Sequence, residues 1–303
     1  MSTVSATSPA PVHAWVLAAR PATLPAAAVP VFVGAAAAVS EGADFRPLVF
    51  AATLGSALLI QIGTNFANDY SDFHRGADHE GRLGPVRVTQ SGLISHGAVR
   101  QGIAVAFGAA AVLGAGLAWI GGWPIILIGV LSISCGLAYT GGPWPFGYHG
   151  LGEVFVFVFF GVVAVVGTAY LQTGRWSTFA LALSVPIGLL VTNVLVINNL
   201  RDLPTDRAAE KRTLAVRIGA RATRAQYALF IALAYLIPAV LVITDPSRRW
   251  LLLSWLTLPL GFTLIRRVLS GLAGRDLNPI LERTGQLLLA FGVSLAAGML
   301  LGR

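Results

Sequence analysis

Long stretches of this chain carry few charged side chains, and the segments between them carry most of its charge. Nine apolar runs stand out, at 22–40, 46–66, 99–121, 123–141, 151–171, 176–198, 224–244, 249–269 and 280–301. Each approaches the ~20 residues that a helix needs to cross ~30 Å of hydrocarbon. The period-2 alternation between turns that a membrane barrel requires does not occur. The pattern therefore predicts an all-α polytopic membrane protein, a bundle of about nine transmembrane helices forming one domain over residues 1–303. Gly and Ala recur within the runs, which suits close helix packing in lipid. Residues 1–20 read as a lead-in. In it, "HAWVLAARPATLPA" is amphipathic, with Trp15 at the interface and Arg20 facing headgroups. A basic stretch followed by a short apolar core and a small-residue cleavage site is not found there, so no cleaved signal peptide is expected.

Composition sharpens the class: 55% hydrophobic and 11% charged residues exclude an ordinary soluble protein. The net charge of +8 would suit nucleic acid, but its distribution argues against that. With nine spans, 16 of the 21 Arg and Lys fall on the side of the N-terminus and of the connections after spans 2, 4, 6 and 8. The positive-inside rule then places the N-terminus in the cytoplasm and the C-terminus outside. All but one of these cations are arginine, which favours forked pairing with phosphate and lipid headgroups. The single cysteine, Cys135, lies within a span, so no intrachain disulfide can form and packing is its expected role.

Two segments on the cytoplasmic side, 67–98 and 199–223, break the apolar pattern and are expected to be active-site loops. "NDYSDFHRGAD…RLGPVRVTQSG" and "NNLRDLPTD…KRTLAVRIGAR" follow one plan: Asn at the end of a span, then spaced aspartates, then basic residues. A weak internal duplication is expected from them. Seven of the 13 acidic residues lie here: Asp69, Asp72, Asp78, Glu80, Asp202, Asp206 and Glu210. If the second span continues as a helix, Asn68 and Asp72 share a face at i,i+4. Asp202 and Asp206 have the same spacing, although Pro204 between them would break the helix or restart it. Carboxylate and amide oxygens are hard ligands suited to Mg²⁺. Facing carboxylate clusters repel one another unless cations separate them. Arg75, Arg82, Arg87, Lys211, Arg212 and Arg217 lie beside them, able to grip a diphosphate. The expected ligand thus has a diphosphate head and a greasy tail. Solvated loop acids are the bland alternative, and two matched clusters argue against it. His74, His79 and His149 have no zinc-like spacing. Glu282 and Asp276 read as interfacial.

These residues resemble the UbiA-type intramembrane prenyltransferases, which carry an NDxxD-type motif after the second span and DxxxD after the sixth. The resemblance runs over almost the whole chain. Within the family, "NDYSDFHRGAD", "RLGPVRVTQSGLIS", "AYTGGPWPFGYHGLGEVFVFVFFG" and "NNLRDLPTDRAAEKRTLAVRIG" look most like the branch acting on 1,4-dihydroxy-2-naphthoate in menaquinone biosynthesis. The commoner family form has a further Asp where this chain has Gly76, with Asp78 the nearest substitute. The resemblance implies polyprenyl transfer from a diphosphate to an aromatic ring, with loss of the ring carboxyl. Asn68, Asp69, Asp72, Asp202 and Asp206 would be catalytic, and Mg²⁺ would be held by Asn68, Asp72, Asp78, Asp202 and Asp206. Arg75, Lys211 and Arg212 would take the diphosphate. Arg82, Arg87, Tyr70, Tyr139, Tyr148 and His149 are candidates for the acceptor. Expected partners are polyprenyl diphosphate, the aromatic acceptor and the lipid bilayer, with no nucleic acid and no obligate protein partner. Alternatives are another acceptor such as 4-hydroxybenzoate, or a transporter. Against a transporter, the carboxylates sit at one face, and spans 3–5 and 7–9 offer almost no ionisable path across.

Overall fold

The computed structural model describes residues 11–76, 83–84 and 87–303, and among these no strand occurs. The chain runs α1 (Pro11–Ala19), α2 (Pro25–Ser40), α3 (Pro47–His74), α4 (His96–Gly121) and α5 (Trp123–Ala138). It continues through α6 (Gly152–Val156), a π-helical turn (Phe157–Val163) and α7 (Ala164–Thr173), which together form one span. Then follow α8 (Thr178–Ala208), α9 (Leu214–Thr244), a 3₁₀ segment (Pro246–Thr257) with α10 (Leu258–Leu269), and α11 (Asn278–Leu301).

All nine predicted runs coincide with helix. Among the described residues seven helices are long and apolar enough to cross a membrane, and α1–α2 make an eighth if that pair, bent by 52°, is one span. The remaining run, 123–141, becomes α5, which has 16 residues. At 1.5 Å per residue it reaches only ~24 Å. Large apolar side chains such as Leu48, Trp119, Ile243 and Leu256 stand outward, as lipid-facing surfaces require. The innermost helix is α8, with 78% of its apolar window buried, against 22–33% for most of the others. It packs along α9 and against α11 and the π-helical turn. Its side chains Leu183, Ile187, Leu190, Val196 and Ile197 form the centre of the core. Hydroxyl caps start the helices where charge returns: Ser95 accepts from Ala98 N, Ser177 from Ala180 N and Thr213 from Val216 N.

Two expectations need correction. The segments 67–98 and 199–223 are not loops throughout. Residues 67–74 complete α3, and 199–208 complete α8 with Pro204 inside it. A helix prolonged past the apolar run keeps its backbone bonded internally, so the polar motifs ride on rigid elements. Arg20 does not face headgroups. It takes a left-handed backbone (φ 52°), is half-buried, and turns inward at the junction between α1 and α2. The Pro21 that follows disfavours the α-helical region for the residue before it, so the chain turns there. Trp15 packs edge-on to Phe66, ring centres 5.4 Å apart, fixing α1 across α3.

Candidate active site

The first motif is helical because α3 runs on to His74 and ends at Arg75–Gly76. Gly76 has φ 69°, the left-handed conformation that terminates helices. The position where the commoner family form has Asp is therefore a helix stop in this chain. Asn68 and Asp72 share one face, as expected, and both are buried. Asn68 Oδ1 accepts from Thr140 Oγ1 at 2.8 Å, tying α3 to the segment after α5. Asp72 is the hub. Its Oδ1 accepts from the Tyr148 hydroxyl at 2.8 Å, and its Oδ2 lies 3.2 Å from Arg87 Nη2 and 3.7 Å from Lys211 Nζ. Asp69, next to Asn68 and three positions before Asp72, points to a different flank. Its Oδ2 accepts from Val88 N at 3.1 Å, and the Arg20 charge lies within electrostatic reach.

The second motif ends α8. Asp202 is buried and receives both fork arms of its neighbour Arg201, at 2.8 and 2.6 Å. Asp206, one turn on, is half-buried. Its backbone oxygen accepts from Lys211 N at 2.8 Å across a left-handed Glu210 (φ 55°). That reversal returns Lys211 toward α3, where Nζ meets Asp72 and stands 4.8 Å over the Tyr148 ring. The two motifs, more than 120 residues apart, thus meet through Lys211. Tyr139 sits between them, within reach of the charges on Glu153, Asp72 and Asp206.

Other predicted residues take different places. Arg75 bonds the carbonyls of Thr140 and Gly142, bracing the turn that carries Tyr148, and stands 5.7 Å from the Tyr148 ring. Arg212 is exposed, its carbonyl accepting from Arg217 Nε. Tyr70 lies away from the Asp72 cluster. Its ring is 4.2 Å from His74, and it packs with Phe66 and Val88, because it is on the opposite side of α3 from Asn68. His149 stacks on Trp144, and its Nδ1 bonds the Pro145 carbonyl. Asp78 and Arg82 lie outside the described residues.

Sequence reasoning missed three groups. Arg20 was read as a surface cation. Arg201 lay in the quoted motif without a role. Glu153, buried in the span formed by α6 and α7, accepts from Asn199 Nδ2 at 2.9 Å and so anchors the second motif from below. Its signal was available: a lone carboxylate within an apolar run is costly unless it has a partner.

Below Tyr139 an apolar cavity opens between α2, α3, α5 and the α6–α7 span. Phe146, Phe155, Phe159, Gly129 and Cys135 are among its walls, so Cys135 lines a groove rather than packing in a core.

For a divalent cation the donor set fits. Asn68, Asp72, Asp202 and Asp206 offer hard oxygens, and the buried carboxylates of Asp72 and Asp202 already draw in three cationic side chains. Among the described residues no three of His, Cys, Asp and Glu converge as a ready ligand cluster. The donors come from two helices, Asn68 and Asp72 on α3 and Asp202 and Asp206 on α8, and the three carboxylates stand apart, so that a cation between them would be what draws the two helix ends together.

A helical membrane bundle with acidic helix ends facing each other above an apolar cavity is the architecture of an enzyme that handles amphiphilic substrates at a membrane face. The UbiA prenyltransferase family model matches residues 27–277, and the chain belongs to that family. It is 41% identical over 95% of its length to the 1,4-dihydroxy-2-naphthoate octaprenyltransferase of Mycobacterium tuberculosis, of which 97% is covered. To the protein of the same name from Escherichia coli it is 35% identical, with 90% of both chains covered. The fold is similar to that of a UbiA homolog from Archaeoglobus fulgidus bound to DMAPP and Mg²⁺. The TM-score there is 0.66 at 14% identity, over 93% of this chain and 99% of that one.

Proposed function

We propose that this protein transfers a polyprenyl group from polyprenyl diphosphate to 1,4-dihydroxy-2-naphthoate, with loss of the carboxyl group as CO₂, in a Mg²⁺-dependent reaction at the cytoplasmic face of a nine-span bundle. The observation that carries the site is Lys211 of the second motif paired with Asp72 of the first, within electrostatic reach of Tyr139, which lines the apolar cavity. The acceptor rests on the five bacterial relatives that share that substrate name at 31–41% identity. The cytoplasmic face rests on the arginine distribution.

In the reaction the allylic carbon–oxygen bond breaks and the diphosphate leaves with the electron pair. Ring electrons of the acceptor form the new carbon–carbon bond, and loss of the carboxyl as CO₂ returns a pair to the ring. Mg²⁺, held by Asn68, Asp72, Asp202 and Asp206, would neutralise charge on the departing diphosphate. Lys211 and Arg87 add fixed positive charge at the same place, and Tyr148 orients the Asp72 carboxylate by its hydrogen bond. The faces of Tyr139, Phe146 and Phe155 shelter the developing allylic cation from water and stabilise it. Asp78 and Arg82 complete the proposed sets for metal and acceptor.

The test is an acceptor panel. Purified protein with Mg²⁺ and labelled polyprenyl diphosphate should prenylate 1,4-dihydroxy-2-naphthoate and release CO₂. Product from 4-hydroxybenzoate alone would overturn the acceptor assignment, and vectorial uptake without product would favour a transporter. The cavity has its own test. Gly129 lines it, and a Cβ there meets nothing within 4 Å, so a larger side chain enters empty space. Gly129→Phe should raise KM for long prenyl diphosphates by roughly tenfold, about 1.4 kcal/mol of lost tail burial, and leave short ones little changed. Equal KM shifts for geranyl and octaprenyl diphosphate would place the tail elsewhere.

A further inference from the structure

Arg201 is among the largest fully buried side chains of the protein, only 1% exposed, in a region where an unpaired guanidinium would be prohibitively costly. Its partners are built around it. Nε donates to Asp202 Oδ1 at 2.8 Å and Nη2 to Asp202 Oδ2 at 2.6 Å, a bidentate fork. Nη2 also donates to Asn198 Oδ1 at 2.8 Å, and Nη1 to Asn278 Oδ1 at 3.1 Å. Asn278, at the start of α11, donates in turn to the Leu83 carbonyl at 3.1 Å. The chain crosses the guanidinium at Gly84, where a Cβ would fall 2.6 Å from Nη2 and 2.9 Å from Cζ. Three residues further on, the same stretch presents Arg87 to Asp72. One side chain thus joins the second motif, the N-terminus of α11 and the segment that follows the first motif.

A cation clasped on a carboxylate could compete with a metal for its oxygens. The cage argues otherwise. Asn198 and Asn278 hold the far side of the guanidinium, so it has nowhere to withdraw. It takes one lone pair of each Asp202 oxygen and leaves the others unused. Ligating carboxylates are oriented by such outer hydrogen bonds, and losing one typically weakens metal binding 10–100-fold.

We propose that Arg201 is a positioning residue. It fixes the Asp202 carboxylate as a pre-oriented ligand for the divalent cation and, through Asn278 and Gly84, sets the segment bearing Arg87 against Asp72. The proposal rests on the Mg²⁺-dependent reading of the site. Thermal unfolding of the detergent-purified full-length protein, titrated with Mg²⁺ and without substrate, tests it. Arg201→Lys keeps the charge and loses the fork, and should raise the Mg²⁺ concentration for half-maximal stabilisation by roughly 10–100-fold. Asn278→Leu leaves both bonds to Asp202 in place and guards against a folding failure of the first variant; it should shift the midpoint the same way by several-fold. A lower melting temperature with the Mg²⁺ midpoint within about threefold of the unmodified protein in both variants would make Arg201 mere structural glue. A tighter midpoint would make it a competitor, and either result overturns the proposal. If the unmodified protein shows no Mg²⁺ effect, the metal reading itself falls, and this one with it.

Discussion

Asp72→Asn should abolish prenyl transfer, lowering kcat/KM by at least ~10³-fold, while the protein remains folded and membrane-inserted. The expectation follows from what converges on one carboxylate. The side chain is 2% exposed, accepts from Tyr148, and balances both Arg87 and Lys211. Losing a single preorganised electrostatic contact at a reacting centre commonly costs 10²–10³ in rate. Here the substitution removes a proposed metal ligand and at the same time takes one negative charge away from two neighbouring cations. Breaking one side of a buried pair costs about 3–5 kcal/mol, so the melting temperature should fall as well. The fold should survive, because its main core lies along α8, α9 and α11 and does not include α3. Activity in membranes and the elution profile of the purified variant separate the two effects. Asp202→Asn should behave in the same way. Activity within about threefold of wild type in both variants, against the ~10³-fold loss expected, would contradict the proposed roles.

A second large effect on stability is expected at a residue with no chemistry. Gly161 lies in the π-helical turn and faces Gly188 of α8. A Cβ at 161 would come within 2.6 Å of Gly188 Cα, 3.2 Å of Gly188 N and 3.1 Å of the Ser184 carbonyl. All of these are backbone atoms, so no rotamer can relieve the clash and the helices must part. Gly161→Val should therefore destabilise by the ~1–3 kcal/mol typical of overpacking, or more. Because α8 carries Asp202 some 21 Å further along its axis, a small tilt at the crossing displaces the second motif, and transfer should fall too. Gly167→Ala is the control on the same span: its Cβ would meet only Ile128 Cδ1, at 3.6 Å. Thermal unfolding of the two variants side by side decides the matter. A Gly161→Val protein as stable as Gly167→Ala would mean that the crossing is loose.

Much of the fold was legible because the bilayer imposes a local rule. A helix in hydrocarbon must be long and apolar, and any reader of the sequence can apply that rule without knowing what the helix packs on. The helix positions followed, and so did the i,i+4 placing of Asn68 with Asp72. Local pattern was less reliable where two readings shared one composition. Segments 67–98 and 199–223 looked like loops because polar residues at a membrane face are found in both loops and prolonged helices. Tyr70, Tyr139 and Tyr148 looked equivalent, yet Tyr70 turns to the flank that holds Phe66, and Tyr148 bonds Asp72. Which way a tyrosine points depends on the rotation of its helix against partners far along the chain.

The sequence by itself determined the membrane class, the runs that become helix, the concentration of acid and base in two stretches, and the family those stretches resemble. Each of these is written in residue type and short-range spacing. Only the tertiary structure decided that Lys211 returns to Asp72, that Arg201 is caged by an asparagine 77 positions away, that Glu153 holds Asn199, and which helices enclose the apolar cavity. Those contacts arise from helix crossings set by glycine-sized surfaces, and a crossing angle is a property of two packed helices together, absent from either one's sequence read alone.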